Sequence, residues 1–491
     1  MDGRAAASEM AMRPGALLQR LESLYLSRRA ARNAPLIALA ELVRSGRGDP
    51  ERSLALCIEL GLPNRARRTL MESGITPAPA LALQLAWLEG DFATLDRLAA
   101  DPTTPAALAR MPQNTQNKCL SGMAQRSPQA ALAVLKDMPR RPLCAPAIAL
   151  RAGEPAVADR WRRNWRWRLH ADYLLLDANR AKTAQQRLGL LNDYFARHGL
   201  APLRLIDEAR PLSMGNVAAV KPVGGAAPCS SARVSVVIPA HDNEQHIRAS
   251  IESMLWQSCQ PAEIMVVDDA SNDGTAGVVA ELAATHPSVR LIRLATNRGA
   301  YFARNVGLAA SRGEFVVFQD ADDFAHPQRL ALALEPLLRD TQVHASTSRC
   351  VRLSDDGVFG EARVWPLTRW TPISLVVRRD VALNRVGFFE DMRFGADSEY
   401  VARLRLLLGE RHHRLVAQPL ALFGQRAGSL TTTGATGFDR QGRSAPRIAY
   451  QEAWTERHLA SLLGSEKLYQ PRSDEVDLVL GTLDGDAAPA S

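Results

Sequence analysis

The sequence has only six cysteines and no CxxC pair among them, so neither a zinc site nor a disulfide framework is suggested, and the thiols read as buried or incidental. No stretch approaches the roughly 18 consecutive apolar residues that a membrane span requires, so no transmembrane helix is expected. The N-terminus, MDGRAAASEMAMRPGALLQRLESLYLSRRAARN, lacks the short apolar core and small-residue cleavage site of a secretory signal, and the expected location is therefore cytoplasmic. Two phosphate-binding signatures are also missing. There is no GxxxxGK[ST] loop and no GxGxxG after the first apolar strand, which argues against P-loop NTPases and dinucleotide dehydrogenases.

What the chain does have is length and positive charge. At 491 residues it exceeds what one hydrophobic core usually organises, which implies two or three domains. A net charge of +8 favours anionic partners such as nucleotide phosphates, lipid headgroups, an acidic glycan or nucleic acid, and charge alone does not choose among them.

Two halves follow different patterns. From about residue 15 to about 210, Ala, Leu and Arg recur in helical periodicity, as in PLIALAELVRS, ALALQLAWLEG and DFATLDRLAA, so an all-α region is expected over 1–213. Leu85–Phe92 and Ala149–Ala156 resemble the joint of tetratricopeptide-like repeats, and a repeat array and a plain helical bundle remain equally open. A Gly/Ala/Pro-rich linker is expected over 214–232. From Val234 onward, apolar strands (SVVIP, EIMVVDD, VRLIRL, FVVFQ) alternate with helices, the pattern of a mainly parallel α/β sheet over 233–437. A helical extension and tail, 438–491, complete the division.

In parallel sheets, ligands sit at the carboxyl ends of the strands. That rule gathers Pro239 to Asn243, Asp268 and Asp269, Asn297 to Ala300, and Asp320 to Asp323 into one cleft. The last group ends the run FVVFQDADDF, where like charges so close repel by about 1 kcal/mol or more per pair. A turn with a helix cap would explain an isolated DxD. A fully buried strand with a second acidic pair beside it points instead to a divalent cation, Mg²⁺ or Mn²⁺, bridging to substrate phosphates.

VSVVIPAHDNEQHIRASIESMLWQS, VVDDASNDGT and NRGAYFARNVGLAASRGEFVVFQDADD, in that order and spacing, resemble the family 2 glycosyltransferases of GT-A fold, with the likeness running from about Val234 to about Gly437. The resemblance implies that Pro239 opens the nucleotide pocket and that Asp269 contacts the base or ribose of a nucleotide-sugar donor. It puts Arg298 and Arg304 near the donor. Asp320, Asp322 and Asp323 fall on the DxD-type motif: Asp320 serves the ribose or the loop, and Asp322 and Asp323 hold the metal. GFFEDMRFGADSEYVARL resembles the acceptor-side segment, which makes Asp397 the general base and Glu399 the runner-up. As an Asp at a helix N-terminus, Asp397 is expected to have a lowered pKa. Phe423 to Thr431 resembles a closing segment in which Arg426 and Ser429 meet the diphosphate.

The implied chemistry is a single inverting displacement from a nucleotide-sugar, UDP-linked foremost, onto a glycan or lipid-linked glycan acceptor in bacterial surface polysaccharide synthesis. His241-Asp242 replace the family's usual aromatic residue and Asn, which leaves the nucleotide open. The lack of a QxxRW motif and of membrane spans argues for single addition over processive synthesis. Two other functions compete: a nucleotide-binding pseudoenzyme or scaffold whose helical region recruits partners, and a nucleotidyltransferase. The segment WRRNWRWR (161–168) puts Trp161, Trp165 and Leu169 on one helix face, where core packing is the leading reading and a peripheral membrane or glycolipid surface the second; nucleic acid is set aside.

Overall fold

The computed structural model describes residues 35–45, 49–164, 169–220, 232–360, 363–425, 437–439, 442–464 and 467–485. Its centre is an eight-stranded mixed sheet: β1 (Val234–Ala240), β2 (Glu263–Asp268), β3 (Val289–Arg293), β4 (Phe315–Phe318), β5 (Phe324–Ala325), β6 (Ala345–Ser354), β7 (Thr368–Arg378) and β8 (His413–Gln425), in the order β3-β2-β1-β4-β7-β6-β8-β5. The first four strands pair in parallel, as expected from near-continuous apolar runs: every residue of β1, β2 and β4 is buried. β7 then pairs antiparallel with both β4 and β6, and β5 antiparallel with β8, so only part of the sheet obeys the parallel rule. The connection between β6 and β7, residues 355–367, contains no helix among the described residues.

The connecting helices are α1 (Ile247–Leu255), α2 (Thr275–Thr285), α3 (Ala300–Ala310), α4 (Arg329–Arg339) and α5 (Ala396–Leu408). α3 lies tightly on β1. A Cβ at Gly307 would come 2.3 Å from the Val237 side chain, so the glycine permits the close approach.

Residues 35–197 form helices joined by short turns where described. The two joints singled out in the sequence each connect consecutive packed helices, Pro79–Glu89 with Phe92–Ala100 and Ala145–Arg151 with Pro155–Arg162. At the first joint Gly90 takes a left-handed φ of 72° and the Asp91 side chain accepts from the Thr94 amide. The expectation of a purely helical first half meets one exception: Leu203–Leu205 pairs antiparallel with Val217–Ala219, which lies inside the expected linker. Trp161 is buried under Arg141, but its helix ends at Arg162 and Leu169 is exposed, so the helical face proposed for Trp161 and Leu169 does not form; Trp165 lies outside the described residues.

The helical region and the sheet share one continuous core. The buried Asp172 carboxylate accepts from the amides of Leu367 and Thr368 (2.8 and 3.0 Å) and from the Thr368 hydroxyl (2.5 Å), capping the start of β7 with three donors. Tyr194 reaches the same hydroxyl at 2.6 Å. On the other side, α6 (Ala445–Leu462) ties α5 to the first helices: Glu452 accepts from the Asn64 amide (2.8 Å), Glu456 pairs with Arg65, and His458 bonds Glu399 (3.0 Å). Last comes α7 (Asp474–Gly485), which buries Val476 against α3.

Among the described residues no helix is long and apolar enough to cross a membrane. Cys57, Cys119, Cys144 and Cys350 are free and buried, as expected. Cys259 is disulfide-bonded, contrary to the sequence reading, because spacing along the chain does not show which distant cysteines meet.

Candidate active site

At the carboxyl ends of β1, β2 and β4 lies a cleft of about 340 Å³, lined among others by Pro239, His241, Asp269, Asn297, Arg304, Asp320, Asp322, Asp323, Arg352, Arg393 and Gly424. The backbone folds sharply at its rim. Asp242, after β1, and Ala270, after β2, are non-glycine residues at positive φ (49° and 57°), a conformation that costs energy and concentrates at functional sites.

Asp269 is buried, and both its oxygens accept backbone amides, Oδ1 from Arg298 at 2.7 Å and Oδ2 from Gly299 at 2.6 Å. It therefore fixes the loop that leads into α3, with lone pairs left over for a ligand. Arg298 donates to the site only through that amide. Its guanidinium lies over Phe302 and pairs with Asp391 (3.3 Å) and Glu475, and it is not among the cleft-lining residues. Sequence could not show this, because the acidic partners lie far along the chain.

The three carboxylates after β4 have different surroundings. Asp320 pairs with the buried Arg304, whose guanidinium lies 4.7 Å from the centroid of the Tyr301 ring. Asp322 is half-buried and lines the cleft. Asp323 is buried: Oδ1 accepts the Gly424 amide at 2.9 Å, while Oδ2 is buried with no hydrogen-bond partner among the described residues. Burial first, and then the charges of Asp322 and Asp320, push the Asp323 carboxyl well above the usual carboxylate range. A Cβ on Gly424 would sit 2.6 Å from the Asp322 carbonyl oxygen, so β8 can approach the acidic turn only with glycine there.

These residues suit a divalent cation. An orphaned buried carboxylate oxygen beside a second carboxylate, both repelling, is the situation that a bound cation relieves. Among the described residues no group of three His, Cys, Asp or Glu side chains converges, so a cation here would take most of its ligands from a phosphate and water, as Mg²⁺ commonly does.

Asp397, which is not among the cleft-lining residues, stands in the first turn of α5, after Gly395 at a φ of 77°. Its Oδ1 accepts the Tyr301 hydroxyl at 2.9 Å and the Ser398 amide at 2.8 Å. Its pKa is raised, contrary to the sequence expectation: burial dominates, and Arg304, Tyr301 and the Ser398 amide oppose it only in part. Glu399, the runner-up, is buried between Arg403 (3.0 Å) and His458 (3.0 Å) and faces away from the chemistry.

Asp320, Arg304, Tyr301 and Asp397 thus form a continuous chain of contacts from the acidic turn to the candidate base. Tyr301 was missed in the sequence, although its spacing of three from Arg304 puts both on one face of α3. Arg393, which donates to the Asn297 carbonyl at 3.1 Å, and Arg352 are further cleft residues without a sequence signal. Arg426 and Ser429 lie outside the described residues.

Residues 235–401 match the family model described as glycosyl transferase family 2. The chain is 42% identical over 102 residues to the succinoglycan biosynthesis protein ExoO of Rhizobium meliloti, covering 21% of this chain and 29% of that protein. Chondroitin synthase of Escherichia coli is 35% identical over 140 residues, covering 27% and 20%. Among solved structures, the mannosyltransferase PcManGT from Pyrobaculum calidifontis in complex with GDP-Man and Mn²⁺ is 18% identical, covering 65% of this chain and 93% of that one at a TM-score of 0.34. The chain spans less than a third of the length of both curated relatives named here.

Proposed function

We propose that this chain, whose segment 235–401 is a glycosyl transferase family 2 domain, moves a sugar from a nucleotide-sugar to a hydroxyl of a glycan or lipid-linked glycan acceptor in surface polysaccharide synthesis. The observation that carries the reading is the Asp397 carboxyl, raised in pKa and joined through Tyr301 and Arg304 to Asp320 in the acidic turn that lines the cleft.

In this reading the nucleoside lies against Pro239 and Asp269, and the diphosphate lies at Asp322 and Asp323. Those two would hold Mn²⁺ or Mg²⁺, which supplies charge neutralisation for the departing diphosphate. Arg304, fixed by Asp320 and Tyr301, adds a permanent positive charge on the same side. Asp397 takes the proton of the acceptor hydroxyl as its oxygen attacks the anomeric carbon. The bond from that carbon to the phosphate oxygen breaks, its electron pair leaves with the nucleoside diphosphate, and the configuration inverts. A general base does best with a pKa nearer the working pH, and burial moves Asp397 in that direction.

UDP-, GDP- and dTDP-sugars with Mn²⁺ form the first assay, read as nucleoside diphosphate release. Full activity in both Asp322→Ala and Asp323→Ala would overturn the metal assignment, and release of pyrophosphate would replace glycosyl with nucleotidyl transfer.

A further inference from the structure

Asp397 is carried by a stretch without regular structure. Residues 388–395, between Gly387 (φ 86°) and α5, belong to no helix or strand, so no backbone ladder fixes where α5 begins. Side chains from elsewhere hold much of it. From α3, Asn305 accepts the Phe389 amide at 2.8 Å and donates to the Phe389 carbonyl at 2.9 Å. A second set of contacts comes from α6, which lies beyond the segment matched by the family model.

One stripe of α6 faces this stretch. Tyr450 and Arg457, two helical turns apart, each take one oxygen of Glu390: the Tyr450 hydroxyl donates to Oε2 at 2.8 Å and the Arg457 guanidinium to Oε1 at 2.5 Å. The Tyr450 ring stands edge-on to Phe394, with centroids 6.1 Å apart, and a Cβ on Gly395 would lie 3.3 Å from it. Arg447, one turn earlier, places its guanidinium 5.2 Å from the centroid of the Phe394 ring. Other residues of α6 are anchored in turn: Gln451 donates to the Leu60 carbonyl at 2.7 Å, and Leu459 shares a core with Leu54 and Leu62. The helix therefore grips the turn before Asp397 from a fixed position.

We propose that Tyr450 is a positioning residue for the transfer step: by holding Glu390, Phe394 and Gly395 it sets where α5 begins, and so where the Asp397 carboxylate stands. This rests on the transferase reading above, with Asp397 as the base. A reacting group displaced by about 1 Å can lose on the order of a hundredfold in rate, whereas a nucleotide held at the ends of β1, β2 and β4 is left in place. The charged and titratable groups that act on Asp397 are Tyr301 and Arg304 of α3, Asp320 of the acidic turn and Arg447 of α6, and a change at Tyr450 removes none of them. A moved titration of this carboxyl therefore reports a change in its burial: with the Tyr450 ring gone, water reaches the turn and the raised pKa falls.

The test compares Tyr450→Ala and Tyr450→Phe with the parent. Tyr450→Ala should lose at least about tenfold in kcat, read as nucleoside diphosphate release from the UDP-, GDP- or dTDP-sugar that turns over, while UDP affinity with Mn²⁺ stays within about twofold. Tyr450→Phe keeps the ring against Phe394 and Gly395, loses the bond to Glu390, and should fall between the two, about threefold below the parent. The ¹³C NMR signal of the Asp397 carboxyl, assigned by its disappearance in Asp397→Asn, should titrate at lower pH in Tyr450→Ala. Parental kcat with an unmoved titration overturns the proposal. So does a loss of UDP affinity that matches the loss of kcat, because the damage is then general. If Tyr450→Ala does not fold, the same two readouts on Tyr450→Phe decide. Should Asp397→Asn keep the parental kcat, the base reading fails, and the titration alone decides whether Tyr450 positions the carboxyl, an unmoved curve overturning it.

Discussion

The Tyr301 hydroxyl donates a 2.9 Å hydrogen bond to Oδ1 of Asp397, and the ring of the same tyrosine carries the Arg304 guanidinium that pairs with Asp320. One side chain therefore touches both the candidate base and the arginine that pairs with the acidic turn. Because Tyr301 lowers the pKa that burial raises, Tyr301→Phe should shift the acidic limb of the kcat profile to higher pH. The donor KM should stay nearly unchanged. A pH–rate series on both proteins checks it; an unshifted limb would mean that Asp397 does not titrate in the reaction.

Asp323→Asn should trade function for stability. The folded-state pKa of Asp323 is raised, so its contribution to stability is fully present below the ordinary carboxylate value of about 4 and is lost as pH rises through the folded value. The uncharged isostere removes that loss. The metal-free variant should melt higher than the parent at neutral pH, by a few degrees, and lose the stabilisation that added Mn²⁺ gives the parent. Thermal melts with and without Mn²⁺ decide this.

Gly424→Ala should be damaging out of proportion to one methyl group. The new Cβ would lie 2.6 Å from the Asp322 carbonyl, forcing β8 away from the turn and breaking the amide bond to Asp323. A stability loss of about 1–3 kcal/mol is expected from such overpacking, together with weakened metal-dependent donor binding. Denaturant melts and calorimetric titration measure the two effects.

Glu399→Gln separates the two carboxylates of α5. Glu399 is buried against Arg403 and His458, so its loss should destabilise the fold by about 3–5 kcal/mol. The pH dependence of whatever activity remains should be that of the parent. A moved acidic limb would return Glu399 to the candidates for the base.

Much of this was legible in the chain. The apolar runs of β1, β2 and β4 and the helices between them could be placed within a residue or two, because strands buried on both faces and joined by amphipathic helices leave few alternatives. The strand-end rule then gathered Pro239, Asp269 and Asp320 to Asp323 without any coordinates. What stayed hidden depends on partners distant in sequence. Glu475 draws the Arg298 side chain aside, and His458 and Arg403 bind Glu399. The pKa of Asp397 was misjudged for a related reason. A helix terminus is visible in sequence, whereas the burial that outweighs it is a property of the assembled fold.

The most direct test of the base assignment is donor turnover by Asp397→Asn beside the parent, with Mn²⁺, a working nucleotide-sugar and its acceptor. Removing a positioned general base costs about 10²–10⁴-fold. The variant should bind the nucleoside diphosphate as the parent does, within about threefold, while kcat falls by at least about a hundredfold. Parental kcat in the variant would contradict the assignment of Asp397 as the residue that takes the acceptor's proton.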